Sequence, residues 1–246
     1  VMSIPAGILT ERYKEKKVIT AAFMMATAGA LLFSLFPSFG IYLVSLFMIG
    51  MGMAVLQVAI NPLLRVSGGE EHFAFSSVLA QLFFGGASFL SPLMYSYLVT
   101  NLSAGNTSNF LLSTLNGLVP GDLKWVSIYW IFAVIALAMV LIVLISRFPK
   151  VELSETEKVG SFGTIKELIK NKTVILFFFG IFAYVGTEQG VASWISKFLA
   201  DYHGMNPEVE GAHAISQFWG LLTIGCILGL GLLKLMDSKL VLRIFA

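Results

Sequence analysis

Apolar residues in this chain come in long runs that charged residues interrupt. Read between their flanking charges, the runs give a partial segment at about residues 1–10. Full segments follow near 17–37, 40–65, 73–99, 124–146, 173–199 and 212–234, with a last fragment from about 240. A helix rises 1.5 Å per residue, so about 20 apolar residues cross the roughly 30 Å hydrocarbon layer of a bilayer. The pattern therefore predicts an all-α fold: a polytopic membrane helical bundle of about six complete spans plus two partial ones.

Composition agrees, with 57% hydrophobic and 12% charged residues and a mean hydropathy of +0.85. An average soluble domain carries about a quarter charged residues, and no soluble fold hides so much apolar surface. Alternating the span ends across a membrane puts Arg12, Lys14, Lys16, Lys17, Arg65, Arg147, Lys150, Lys158, Lys166, Lys170, Lys172, Lys234, Lys239 and Arg243 on one side. Only Lys124 and Lys197 fall opposite, so the basic side is expected to be cytoplasmic and the protein to sit in a cell (inner) membrane. A net charge of +2 gives no reason to expect a nucleic-acid partner.

Enzyme chemistry is not expected. The single Cys226 builds neither a disulfide framework nor a thiolate site, and His72, His203 and His213 fall at loops or span ends, away from any in-span acid. No metal site and no cofactor are expected, and no filter-like sequence suggests a channel. Val1 opens the chain inside an apolar segment without a charged leader, which suggests a truncated start.

The connection from Pro149 to Lys172 holds the densest run of charges. It divides the chain into a first half at 1–147, a cytoplasmic linker at 148–172 and the start of a second half at 173–246. Within the linker, Thr164 and Glu167 have capping-box spacing ahead of Leu168 and Ile169, which suggests a short surface helix. A simple solvated linker is the alternative. Gly7-Ile8-Leu9 with Lys17-Val18 recurs as Gly231-Leu232-Leu233 with Lys239-Leu240-Val241, the arrangement of halves repeated in parallel. Trp125, Tyr129 and Trp130 open the fourth full span, as an aromatic belt does.

Polar groups deep in apolar helices are costly and mark candidate sites. Gln57 and Asn61 are four apart, about 40° around a helix, so they share a face, and Pro62 frees the carbonyl of Val58. Ser77, Gln81 and Ser88 share a second face by the same arithmetic. Counting from each span's centre places Gln57 and Gln81 about 7 Å toward the basic side, and Glu188 within about 3 Å of the middle. Gln189 follows Glu188, while Trp194, Gln217 and Trp219 occupy outer halves. Amides and a carboxylate beside aromatic rings suit a neutral polyhydroxylated ligand such as a sugar. The competing readings are interhelical hydrogen-bond glue for the amides and interface anchoring for the tryptophans. Gly50, Gly52, Gly85 and Gly86 are expected to allow close helix packing.

Three segments carry a resemblance: Gly7-Ile8-Leu9-Thr10-Glu11-Arg12 with its following lysines, Gln57-Val58-Ala59-Ile60-Asn61-Pro62, and Tyr184-Val185-Gly186-Thr187-Glu188. Leu79-Ala80-Gln81 adds a fourth. Together they resemble the major facilitator superfamily, in particular the fucose, galactose and glucose permeases, from the end of that family's second helix to the start of its ninth. The first segment is similar to the superfamily's conformational loop motif at Gly7, Glu11 and Arg12, with Glu11 where Asp is usual and Lys14 where Gly is usual.

The resemblance implies a secondary transporter, working as a monomer in the lipid bilayer and importing a monosaccharide by alternating access. Gln57, Asn61, Gln81, Glu188, Gln189, Trp194, Gln217 and Trp219 are its candidate binding residues. Gln57 stands where the family has a titratable acid, which leaves Glu188 as the candidate for H+ coupling, and sodium coupling or none stays open. A non-transporting sugar sensor, or a carrier of another small polar solute, is the alternative.

Overall fold

The structure is a computed structural model that describes residues 3–69, 72–148 and 170–245. Its elements in chain order are α1 (Ser3–Tyr13), α2 (Glu15–Leu35), α3 (Phe39–Gly68), α4 (Phe73–Ser103), α5 (Phe110–Leu118), α6 (Ser127–Ile145), α7 (Lys172–His203), α8 (Ala212–Leu235) and α9 (Ser238–Phe245). A 3₁₀ turn at Lys124–Val126 leads into α6, and a wide turn at Pro207–Gly211 leads into α8. Among the described residues there is no strand.

Six helices are long and apolar enough to cross a membrane, and they coincide with the six expected runs. A bilayer leaves the backbone no water to bond, so each run closes its hydrogen bonds within itself as a helix. Polar residues set several boundaries. Asn171 caps α7 by accepting from the amide of Thr173, and Gly204 ends it in the left-handed region (φ 65°), returning its own amide to Ala200 O. The surface helix expected near Thr164 lies outside the described residues.

The helix ends meet in separate clusters. At the basic end Ala6, Val18, Ile19, Ala22, Val55, Ala59 and Val143 form one core that joins α1, α2, α3 and α6. There Lys16 Nζ donates to the carbonyls of Leu144 (2.8 Å) and Ser146 (2.9 Å), placing a cation on the negative end of α6. At the other end Phe33, 2% exposed, is surrounded by Tyr42, Trp125 and Tyr129, with ring centroids 5.1, 5.5 and 4.8 Å away. Trp125 and Tyr129 are thus mainly a packed aromatic core between α2, α3 and α6, more than a belt facing lipid.

Glycines set two close helix contacts. A Cβ on Gly52 would lie 2.8 Å from Ala22 O, and one on Gly29 would lie 3.0 Å from Ser45 O, so α2 and α3 approach backbone to backbone. Gly85 plays the same part in α4, whereas Gly50 and Gly86 have open space where a Cβ would stand.

A long seam joins α4 to α8, which run in opposite directions. Phe75 meets Lys234, Val78 meets Gly229, Gly85 meets Thr223, and Phe89 meets Gly220. Ser216 Oγ donates to Phe89 O at 2.8 Å, and Phe84 packs edge-on against Trp219 at 5.6 Å. This seam decides the geometry of the candidate site.

Candidate functional site

The polar stripe of α4 continues into its packing stripe. Ser77, Gln81, Gly85 and Ser88 fall within about 80° of one another around the helix. At Gly85 the stripe is in tight contact with α8, and nearer the basic end the helices still meet, Val78 against Gly229 and Phe75 against Lys234. Beside this stretch lies an open cavity of about 850 Å³, within the 300–1,000 Å³ range of small-molecule sites.

Three helices and the start of a fourth line it: Ser77 and Gln81 from α4, Tyr184 from α7, Cys226 from α8 and Lys239 from α9. Gly225 and Gly229 widen its α8 wall, and Val78, Leu222 and Leu233 make much of the rest apolar. The Ser77 hydroxyl is enclosed and finds no hydrogen-bond partner among the described residues. With α4 centred at Ser88, Gln81 lies about 10 Å toward the basic end.

Glu188 sits on α7 one turn beyond Tyr184 and within about 1 Å of that helix's midpoint. It is half-buried and accepts from Gln189 Nε2 at 3.3 Å, with Tyr184 one turn earlier on the same side of the helix. Tyr184, four residues before the mid-depth carboxylate, is itself part of the cavity wall. In the sequence Tyr184 stands out only as part of a motif. Its spacing of four from Glu188 is the signal that it shares the carboxylate's face.

The other expected residues are dispersed. Gln57 and Asn61 are exposed and lie roughly 150–170° around α3 from the Gly52, Val55 and Ala59 face that packs on α2. Neither lines this cavity. Trp219 is 7% exposed and fills the α4–α8 seam against Phe84 and Phe218, so it offers no free ring face here. Trp194, 64% exposed, and Gln217 stand on open surface. In the loop segment, Arg12 lies over the Tyr13 ring at 5.5 Å and Lys14 takes φ 66°, ψ 150°. The Glu11 side chain lies outside the description.

A second cavity of about 470 Å³ lies at the opposite end of the same seam, lined by Ser91, Tyr95, Tyr129, Ser196, Glu208 and Ile215 among others. Between the two, Gly85, Phe89, Ser216, Gly220 and Thr223 close a waist. The arrangement is two vestibules on one axis, separated by close-packed helices. Among the described residues no cluster of His, Cys, Asp and Glu is placed to hold a metal.

Proteins of known class match both the sequence and the helix arrangement. The chain is 28% identical over 247 residues to a glucose/galactose transporter of Brucella abortus, covering 97% of this chain and 56% of that protein. It is 25% identical over 216 residues to the L-fucose-proton symporter of Escherichia coli, covering 82% of this chain and 48% of that one. The chain thus spans about half the length of these relatives. A crystal structure of the Escherichia coli fucose:proton symporter superposes with a TM-score of 0.70 at 24% identity, covering 98% of this chain and 62% of that one. That likeness is one of fold. The superfamily's sequence pattern matches residues 1–246 from end to end. With its six apolar spans, this chain is a multi-pass membrane protein that belongs to the Major Facilitator Superfamily.

Proposed function

We propose that this chain is part of a secondary transporter that carries a monosaccharide across the membrane by alternating access. The observation that carries the proposal is the pair of vestibules on the α4–α8 seam, with Ser77, Gln81 and Tyr184 bordering the larger one. The free, exposed Gln81 amide supplies directed hydrogen bonds for sugar hydroxyls, while apolar walls cover the C–H faces. The likeness to a glucose/galactose transporter supports that substrate class. Gln57, Asn61, Gln189, Trp194 and Gln217 belong to the same proposal as groups that border the path in the whole protein.

Residues 1–147 and 173–246 belong to two halves that rock about this seam, joined by the 148–172 linker. Glu188 is the coupling carboxylate, one turn from Tyr184 on the wall of the basic-end cavity. The basic end is cytoplasmic by its lysines and arginines, in a cell (inner) membrane, and the unit is a monomer. The likeness to a proton symporter supports H+ as the coupling ion.

Counterflow of labelled glucose, galactose and fucose into liposomes carrying the full-length protein tests this reading. At least one sugar should exchange against its unlabelled form. Binding without exchange would identify a sensor and end the transport proposal. In Glu188→Gln, counterflow should persist while proton-driven accumulation is lost, and an unchanged pH profile of uptake would remove Glu188 from the coupling role.

A further inference from the structure

Within the polar stretch between α4 and α6 the chain folds a short helix, α5, that the run of Ser, Asn and Gly does not foretell. Asn109 caps it by accepting from the Leu112 amide at 2.8 Å, and nine residues follow to Leu118. Its faces differ in kind. At 100° per residue, Leu112 and Leu115 lie at about 200° and 140° from Phe110, and they are 0% and 4% exposed against Leu98, Leu102 and Ile128. Ser113, Asn116 and Gly117 occupy the arc from about 240° to 340° and are exposed, with Asn116 Oδ1 accepting from Lys124 Nζ at 3.0 Å. Phe110, Thr114, Leu118 and Leu111 fill the remaining arc from 0° to about 100°. That third face is apolar and open: Phe110 is 88%, Leu118 47% and Leu111 43% exposed.

The depth of this face follows from one hydrogen bond. Asn109 Nδ2 donates to the Tyr97 hydroxyl at 3.1 Å. Tyr97 lies nine residues beyond Ser88, the midpoint of α4, so with α4 centred on the bilayer it stands about 14 Å from the midplane. The hydrocarbon layer ends at about 15 Å. The start of α5 is thereby tied to the boundary between acyl chains and headgroups, on a face of α4 where Tyr97 is itself 46% exposed.

We infer that α5 is an interfacial helix whose Phe110–Leu111–Leu118 edge inserts into the lipid at the acyl–headgroup boundary, with Lys124 at headgroup level. An apolar arc wider than the bundle can cover, facing a polar arc, is the design of a helix that lies in a membrane plane. The same edge facing water would expose a Phe and two Leu side by side with nothing gained.

Spin labels test the inference in the full-length protein reconstituted in liposomes, at Phe110→Cys, Leu118→Cys and, on the polar arc, Ser113→Cys, each with Cys226→Ala. Collisions with oxygen should exceed those with a water-soluble nickel complex several-fold at 110 and 118, and the order should reverse at 113. Nickel-dominated collisions at 110 and 118 would place the edge in water. Shielding from both reagents would place another protein segment over it. Either result overturns the inference. Should a variant fail to reconstitute, carbene labelling of the wild type from a membrane-dissolved reagent gives the same decision: modification of Phe110 or Leu118 supports it, and absence of label on that peptide overturns it.

Discussion

Placing a methyl group at Gly85 attacks the waist directly. A Cβ there would stand 2.5 Å from Thr223 Oγ1 and 3.5 Å from Thr223 Cβ. The first distance is far inside van der Waals contact and the second is ordinary. The hydroxyl is not free to swing aside, because it donates to Trp219 O at 2.7 Å. Relief requires that bond to break or α4 and α8 to separate. Overpacking of this kind costs about 1–3 kcal/mol. If the closed waist alone bears that cost, the balance between closed and open seams shifts by about 5–150-fold.

Gly85→Ala should therefore slow sugar counterflow by at least severalfold and lower the unfolding temperature in detergent. Thr223→Ala by itself should cost only about 0.6 kcal/mol, the usual worth of such a bond within a membrane. Combined with Gly85→Ala it should recover most of the lost counterflow, since the atom at 3.5 Å is then the nearest Thr223 side-chain atom. A double-mutant cycle over the four proteins reads the coupling. Strictly additive losses, or a Gly85→Ala protein that behaves as wild type, would show that the waist is not where the helices are held together.

Substitutions at two further residues test the basic end. Lys14 adopts φ 66°, ψ 150° in the one-residue turn between α1 and α2, a region that is essentially restricted to glycine and costs other residues about 1–3 kcal/mol. Lys14 is exposed, so Lys14→Gly should raise the unfolding midpoint in detergent, less the ~0.4–1 kcal/mol that glycine costs through the unfolded chain; a lowered midpoint would refute the strain. Lys16→Met should lower that midpoint by removing the cation from the α6 carbonyls, a loss of about 1–2 kcal/mol, while Lys16→Arg should keep most of it. Equal loss in both variants would show that charge at that terminus contributes nothing.

Much of the architecture is readable from the residues alone. Each span is visible because a long apolar run in a bilayer satisfies its own backbone by forming a helix, and about 20 apolar residues is the usual run that crosses. The structure moves span ends by a few residues, extending α4 to Ser103 and α7 to His203, where the turns that follow and not hydropathy set the limit. Helix periodicity also yields the shared stripe of Ser77 and Gln81, and Gly52 and Gly85 announce close packing.

What periodicity does not contain is the partner that a face meets. Trp219 reads as a ring free to stack or to anchor at the interface, yet α8 turns it into the seam against Phe84. Trp125 and Tyr129 read as a belt, yet Phe33 on α2 gathers them into a core. Gln57 and Gln81 read from the sequence as lying at similar depths, but only Gln81 lines the cavity that α4 borders. The nine residues of α5 are too few to show an apolar period against a polar loop, although its Asn109 cap is present in the sequence. The chain by itself determined that six of its runs are long and apolar enough to cross a membrane as helices, and which residues share each helical face, because those depend on backbone hydrogen bonding and helix pitch. Only the tertiary structure decided which faces meet, since that rests on contacts between different helices, some far apart in the chain, as where Ser216 finds the carbonyl of Phe89.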